Sequence, residues 1–163
     1  MAILLIHGGA GTIAAQNTEA YEAGLKVALE AGSQALSTDS QHESRALAAV
    51  LAAVTAMESN ANAFNAGIGG ALTRDGKVEL DACVMVSSSA GGARAGAVAG
   101  VTNTANPILL ADRVRRETPH VMLIGPGAEA LVTDPVASES LITDKSRASL
   151  DRWRAGRAAD VEV

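Results

Sequence analysis

The apolar run Ala2-Ile3-Leu4-Leu5-Ile6 empties directly into His7-Gly8-Gly9-Ala10-Gly11. An apolar run that does not alternate predicts a short strand buried on both faces. The loop that follows has almost no side chains. Glycine lets a backbone approach another group closely and adopt positive φ, so this loop presents bare N–H and C=O groups. A second cluster of this kind, Phe64-Asn65-Ala66-Gly67-Ile68-Gly69, lies further along the chain. Two such loops demand a fold in which backbones come close together.

Composition agrees with close packing. The 163 residues are 48% hydrophobic and 19% charged, which suits one folded domain and argues against disorder of the whole chain. Tyr21, Phe64 and Trp153 are the only aromatic residues. The core must therefore be built from Ala, Val, Leu and Ile. The net charge of −5 and the lack of a basic patch exclude ordinary nucleic-acid binding. The cluster Arg113, Arg115, Arg116 reads as a solvated helix face. Cys83 is the only cysteine, so it forms no internal disulfide. Its apolar setting predicts a buried structural thiol. The N-terminal apolar run is too short for a secretory signal, and no stretch approaches a transmembrane span. These features predict a soluble, cytoplasmic protein.

Helical spacing predicts a helix from Asn17 or Thr18 to Leu36, a break at Ser37–Ser40, and a second helix to Met57. Asp75-Gly76 lies between β-prone runs and predicts a hairpin with strands near 70–74 and 77–86. A further strand is expected over 93–101, across a Ser87–Gly92 turn. Pro107 suits the first turn of a helix reaching Glu117. A short strand follows at Val121–Ile124, then a helical turn at Gly127–Leu131. The polar tail carries one helical patch near Ala148–Ala155. Strand, helices, an antiparallel group of strands and more helices together favour a layered α+β domain. The strands are few for the apolar content, which predicts that another chain completes the sheet.

Several chemistries fail on inspection. Gly76-Lys77 is followed by Val78, so there is no phosphate loop, and neither glycine cluster fits a dinucleotide fingerprint. His7, His42 and His120 have no zinc spacing. A His-Gly-Gly loop after a strand also occurs as an oxyanion element in α/β-hydrolases, but the Gly-x-Ser-x-Gly elbow is missing. Each glycine cluster alone reads first as a tight turn where a helix meets the sheet. Asn65 adds a carboxamide that can donate and accept on a loop with little bulk. That suits orienting a polar substrate or a catalytic amine, and bracing the loop is its plain alternative.

The motifs at 7–11 and 64–69 are joined in order by Leu80-Asp81-Ala82-Cys83, Ala95-Gly96-Ala97-Val98-Ala99-Gly100 and Pro119-His120-Val121-Met122-Leu123-Ile124-Gly125. Together they resemble the α-subunit of plant-type L-asparaginases, also called isoaspartyl aminopeptidases, over residues 2–132. These are N-terminal-nucleophile hydrolases. The resemblance implies a four-layer αββα sandwich completed by a separate β-subunit. Residues 1–150 would be the α half, and 151–163 a polar linker ending near an autocleavage point. The nucleophilic threonine would begin the β-subunit, and two αβ units would pair as (αβ)2.

The implied activity is hydrolysis of L-asparagine to aspartate and ammonia, and of β-aspartyl dipeptides. Asn65 would line the site and orient the threonine or the substrate, while Gly8 and Gly9 would offer carbonyls to the threonine amine or its scissile bond. His7 would be a structural hydrogen-bonding residue. No catalytic cofactor is implied. A structural sodium ion is, on the backbone carbonyls of Met57, Glu58, Asn60, Phe64, Ala66 and Ile68. Here the sequence departs from the family: Asn60-Ala61-Asn62-Ala63 is longer than usual and lacks a proline often found there. The Asn60 position can slip to Ala61. A reading of another class is a non-catalytic α+β binding domain or a truncated homologue.

Overall fold

The computed structural model describes residues 2–10, 13, 15–38, 44–87 and 92–161, with the backbone alone for 157–161. Its helices are α1 (Thr18–Ser37), α2 (Arg45–Glu58), α3 (Pro107–Glu117), α4 (Pro126–Glu129) and α5 (Asp144–Val161). Its strands are β1 (Leu80–Ser87), β2 (Ala93–Val101) and β3 (Met122–Ile124). They form one sheet in the order β1-β2-β3, with β1 antiparallel to β2 and β3 parallel to β2. The fold is therefore α+β with a mixed sheet, not the purely antiparallel group expected. Residues 88–91 of the expected turn, 39–40 of the break, Gly11 and His42 lie outside the described residues.

α1 and α2 lie close because α1 turns small residues toward its neighbours. Gly24, Ala28 and Gly32 are buried, and their spacing of four puts them on one helix face. A Cβ on Gly32 would come within 2.9 Å of the Ala49 carbonyl of α2 and 2.7 Å of Leu4 Cδ2. α2 starts cleanly, because Ser44 Oγ accepts the Leu47 N–H at 3.2 Å. α3 packs on the inner face of the sheet. Leu47 and Leu51 of α2, Val84 of β1, Val98 and Val101 of β2, and Ile108 and Val114 of α3 share one apolar core.

The opposite sheet face is open. Along β1 the exposed residues are Asp81, Cys83, Met85 and Ser87. Met85 is 73% exposed, Met122 47% and Ile124 64%. Cys83 is thus an exposed thiol and not the buried one expected. Strand alternation is the reason: Cys83 has the parity of Met85, while Val84 takes the core side. Arg115 departs the other way. It is buried, with its Nε 2.9 Å from Asp112 Oδ1, while Arg113 is half-buried and Arg116 exposed.

The expected strand at residues 2–6 pairs with no other strand among the described residues. Ile3 is 74% and Leu5 88% exposed. The segment instead runs along α1, with Leu4 against Gly32 and Gly8 against Tyr21 and Leu25. A strand needs a neighbour for its N–H and C=O groups, and this sheet puts none beside residues 2–6. The Asp75-Gly76 turn forms, with Gly76 at φ +81° and Thr73 N–H donating to the Lys77 carbonyl at 2.9 Å. The strand expected at 70–74 is reduced to the single bridge Leu72↔Val78, while the one expected at 77–86 is present as β1. Helix α5 runs well beyond the short patch expected.

The tightest approach is at Gly96 on β2. A Cβ there would lie 2.2 Å from the Ala111 carbonyl and 2.6 Å from the Arg115 N atom of α3. Backbone atoms cannot swing aside, so Gly96→Ala must separate the helix from the sheet. Overpacking of this kind costs about 1–3 kcal/mol. Thermal unfolding of the variant is expected to show a Tm several degrees lower than that of the parent, and an unchanged Tm would contradict the packing described.

Candidate functional site

α2 ends at Glu58, and the chain then folds into a compact loop that carries Asn65. Asn60 starts it: its N–H donates to the Met57 carbonyl at 3.1 Å, and its Oδ1 accepts the Ala63 N–H at 3.2 Å. Its own carbonyl accepts both Ala63 N–H at 3.2 Å and Phe64 N–H at 3.0 Å. The Ile68 N–H donates to the Glu58 carbonyl at 2.9 Å, and the Gly69 N–H to the Leu141 carbonyl at 2.8 Å. Gly67 and Gly69 take φ of +55° and +81°. A Cβ on Gly67 would lie 2.5 Å from the carbonyls of both Ala105 and Glu58, so this position demands glycine twice over. Phe64 is buried and meets the Tyr21 ring edge-on, with centroids 5.3 Å apart.

With Phe64 anchored, Asn65 faces out. It lines a cleft of about 360 Å³ together with Gly8, Gly9, Asn17, Tyr21 and Lys145. Residues nearly 60 positions apart, assigned to one site from sequence, therefore share one surface. Gly8 sits against the Tyr21 hydroxyl, where a Cβ would clash at 2.2 Å. Gly9 has φ +124°, and its N–H donates to His7 Nδ1 at 3.2 Å. His7 thus braces the glycine loop.

Tyr21, Asn17 and Lys145 were not singled out by sequence reasoning. Tyr21 lies within the expected first helix and Asn17 at its start. Lys145 lies in the polar tail with no local motif around it. Its Nζ donates to the Asn62 carbonyl at 2.7 Å, across 83 residues, and so ties α5 to the Asn65 loop. No signal in the sequence carries that contact. The cleft can hold a small polar ligand: it offers backbone groups, two carboxamides, a phenol and one cation. No Ser, Thr or Cys lines it among the described residues.

Beside this loop lies a buried acid. Glu58 Oε1 accepts the Ile108 N–H at 3.0 Å, and Oε2 lies 3.4 Å from Asn106 Nδ2. The carboxylate thus caps α3 from across the fold. Burial still dominates, and lifts the pKa from 4.5 to about 7 despite the bonds from Ile108 and Asn106. No group of His, Cys, Asp and Glu suited to a metal occurs among the described residues. The expected sodium donors are all main-chain carbonyls on this loop and the end of α2. That of Glu58 accepts the Ile68 N–H, that of Met57 accepts from Ser59 and Asn60, and that of Asn60 accepts from Ala63 and Phe64.

A family model described as Asparaginase matches residues 1–162. The chain belongs to the asparaginase family. It is 42% identical over 150 residues to the plant-type L-asparaginase of Thermococcus kodakarensis, covering 86% of this chain and 46% of that protein. It is 43% identical over 133 residues to the isoaspartyl peptidase of Escherichia coli, covering 78% of this chain and 39% of that protein. Against the isoaspartyl peptidase/L-asparaginase of Xenopus laevis the identity is 37% over 155 residues, covering 93% and 47%. The chain thus spans less than half the length of these curated relatives. The asparaginase family is one of N-terminal-nucleophile hydrolases, and the α+β architecture agrees with it.

The raised pKa of Glu58 has a stability consequence. Between the unfolded and folded pKa the native state holds the extra proton, so stability falls as pH rises from 4.5 toward about 7 and is level above that. The span is on the order of 3 kcal/mol. In denaturant titrations at pH 5 and pH 8, Glu58→Gln is expected to lose most of this slope and to gain on the parent at pH 8. Parallel pH profiles for parent and variant would count against a buried, proton-holding Glu58.

Proposed function

We propose that this chain is the α-subunit of an amidohydrolase acting on L-asparagine and β-aspartyl dipeptides, with an N-terminal threonine nucleophile on a β-subunit from the same precursor. The observation that carries the reading is the cleft shared by Gly8, Gly9 and Asn65. The names of the relatives, plant-type L-asparaginase and isoaspartyl peptidase, give its substrate class. Their greater length supports a second half of the enzyme beyond residue 163.

The open sheet face supports the same view. Met85, Met122 and Ile124 are exposed on it, and Ile3 and Leu5 are exposed on the segment before the glycine loop. Exposed apolar surface of this extent marks an interface. A second sheet laid on it would complete an αββα sandwich, and two αβ units would pair as (αβ)2. Residues 151–163 then link the α half to the cleavage point.

In the proposed reaction the threonine Oγ loses its proton to its own free α-amine and attacks the side-chain amide carbon. The oxyanion is held by positioned donors. Collapse releases ammonia from asparagine, or an amino acid from a β-aspartyl peptide, and leaves an ester. Water then cleaves the ester to aspartate and restores the hydroxyl. Asn65 orients the threonine or substrate through its carboxamide, and the Gly8 and Gly9 carbonyls receive the threonine ammonium. No cofactor is needed.

A sodium ion suits the loop that carries Asn65, because its donors are neutral carbonyls. Met57, Glu58, Phe64, Ala66 and Ile68 remain in the proposed set. Asn60 or, one residue on, Ala61 completes it. The ion would only stiffen the loop. Exchanging sodium for choline is then expected to lower Tm by a few degrees, and identical melting in both salts would remove the ion from the account.

The site itself is tested by Asn65→Ala in the full-length protein. Loss of one positioned donor typically lowers turnover ~10²- to 10³-fold. The variant is expected to stay assembled by size-exclusion chromatography and to lose asparagine and β-aspartyl-dipeptide turnover on that scale. Parent-like kinetics would take Asn65 out of the site.

A further inference from the structure

A second cleft, of about 340 Å³, opens beneath α5. Leu72, Leu150 and Trp153 supply apolar lining, Arg74, Lys145 and Arg152 supply positive charge, and no Asp or Glu lines it. In a chain of net charge −5 this is a local reversal of sign. Asn65 and Lys145 line both this cleft and the first, so the two meet at the residue assigned to the reacting amide. We propose that the cleft beneath α5 binds the leaving amino acid of a β-aspartyl peptide, taking its carboxylate on Arg74 and Arg152 and an apolar side chain on Leu72, Leu150 and Trp153. The proposal rests on the amidohydrolase reading given above.

The cleft is built at both ends. Lys145 Nζ holds the Asn62 carbonyl at 2.7 Å, and Arg154 Nη2 holds the Arg74 carbonyl at 2.6 Å. At the start of α5, Ser146 N–H donates to Thr143 Oγ1 at 3.1 Å and Thr143 N–H to Ser146 Oγ at 3.0 Å. Leu150 is buried beneath the helix. The guanidinium groups of Arg74 and Arg152 enter no ion pair among the described residues. Planar, permanently charged guanidinium groups suit a carboxylate.

Size and connectivity select the ligand. A cleft near the lower end of the ~300–1,000 Å³ range takes one amino acid and not a long peptide. With the aspartyl half beside Gly8 and Gly9 and the amide at Asn65, the leaving residue extends under α5. Asparagine releases only ammonia and leaves this cleft empty. The cleft is therefore a specificity element for isoaspartyl peptides with apolar leaving residues.

The test uses the full-length enzyme and its Arg74→Glu and Arg152→Glu variants, both exposed positions. Losing a charge-assisted contact to the carboxylate is worth about tenfold. The ratio of KM for β-aspartyl-leucine to KM for asparagine is expected to rise by about that factor in each variant. A ratio within about twofold of the parent in both variants overturns the proposal. Calorimetric titration with N-acetyl-L-leucine, which carries the carboxylate, an amide and an apolar side chain, provides a readout without turnover. The parent is expected to bind it and Arg152→Glu to bind it at least about tenfold more weakly. Failure of the parent to bind overturns the proposal. If neither substrate is hydrolysed, the amidohydrolase reading fails, and the titration alone decides whether the cleft binds this ligand class.

Discussion

Glu58 joins three parts of the molecule: the end of α2, the Asn65 loop and the start of α3. Its carbonyl fixes the Asn65 loop through the Ile68 N–H, and its carboxylate caps α3 through the Ile108 N–H. Asn106, at the start of α3, reaches back to Glu58 Oε2 and to Ser59 Oγ. One residue at the end of α2 thus sets where the loop leaves the helix layer and where α3 begins on the sheet. The acid is buried for this purpose, and its raised pKa is the cost of that position. Gly67 is pressed against the same residue, which leaves the loop no freedom to shift.

Small residues do the complementary work. Gly32 lets α1 approach α2, Gly96 lets α3 lie on β2, and Gly8 lets the N-terminal loop reach Tyr21. A chain with 2% aromatic residues cannot fill gaps with rings, so its elements close up on glycine and alanine. The aromatic pair it keeps, Tyr21 and Phe64, stands behind the candidate site and sets the direction of Asn65.

Much of this was legible in the sequence. Pro107 marked the start of α3, apolar spacing marked α2, and β2 spans the expected 93–101. Asn65 was singled out for its carboxamide on a glycine loop and Gly8 and Gly9 through the family resemblance, and all three line one cleft. What was missed depends on contacts distant in sequence. Lys145 belongs to the cleft only because α5 folds back to Asn62. Arg115 read as solvated because an arginine triplet on a helix usually is, yet Asp112 three residues earlier supplies a buried partner. Residues 2–6 have a strand's composition, but composition cannot supply the neighbouring strand that pairing needs. Cys83 was misjudged by treating its run as apolar throughout instead of as alternating.

The exposed apolar sheet face supports the proposal that the working enzyme is two chains cut from one precursor. A denaturing intact-mass spectrum of the purified full-length gene product tests it most directly. The account predicts two polypeptides, the first ending beyond α5 and the second beginning with threonine. A single uncut polypeptide in a preparation that hydrolyses asparagine would contradict it.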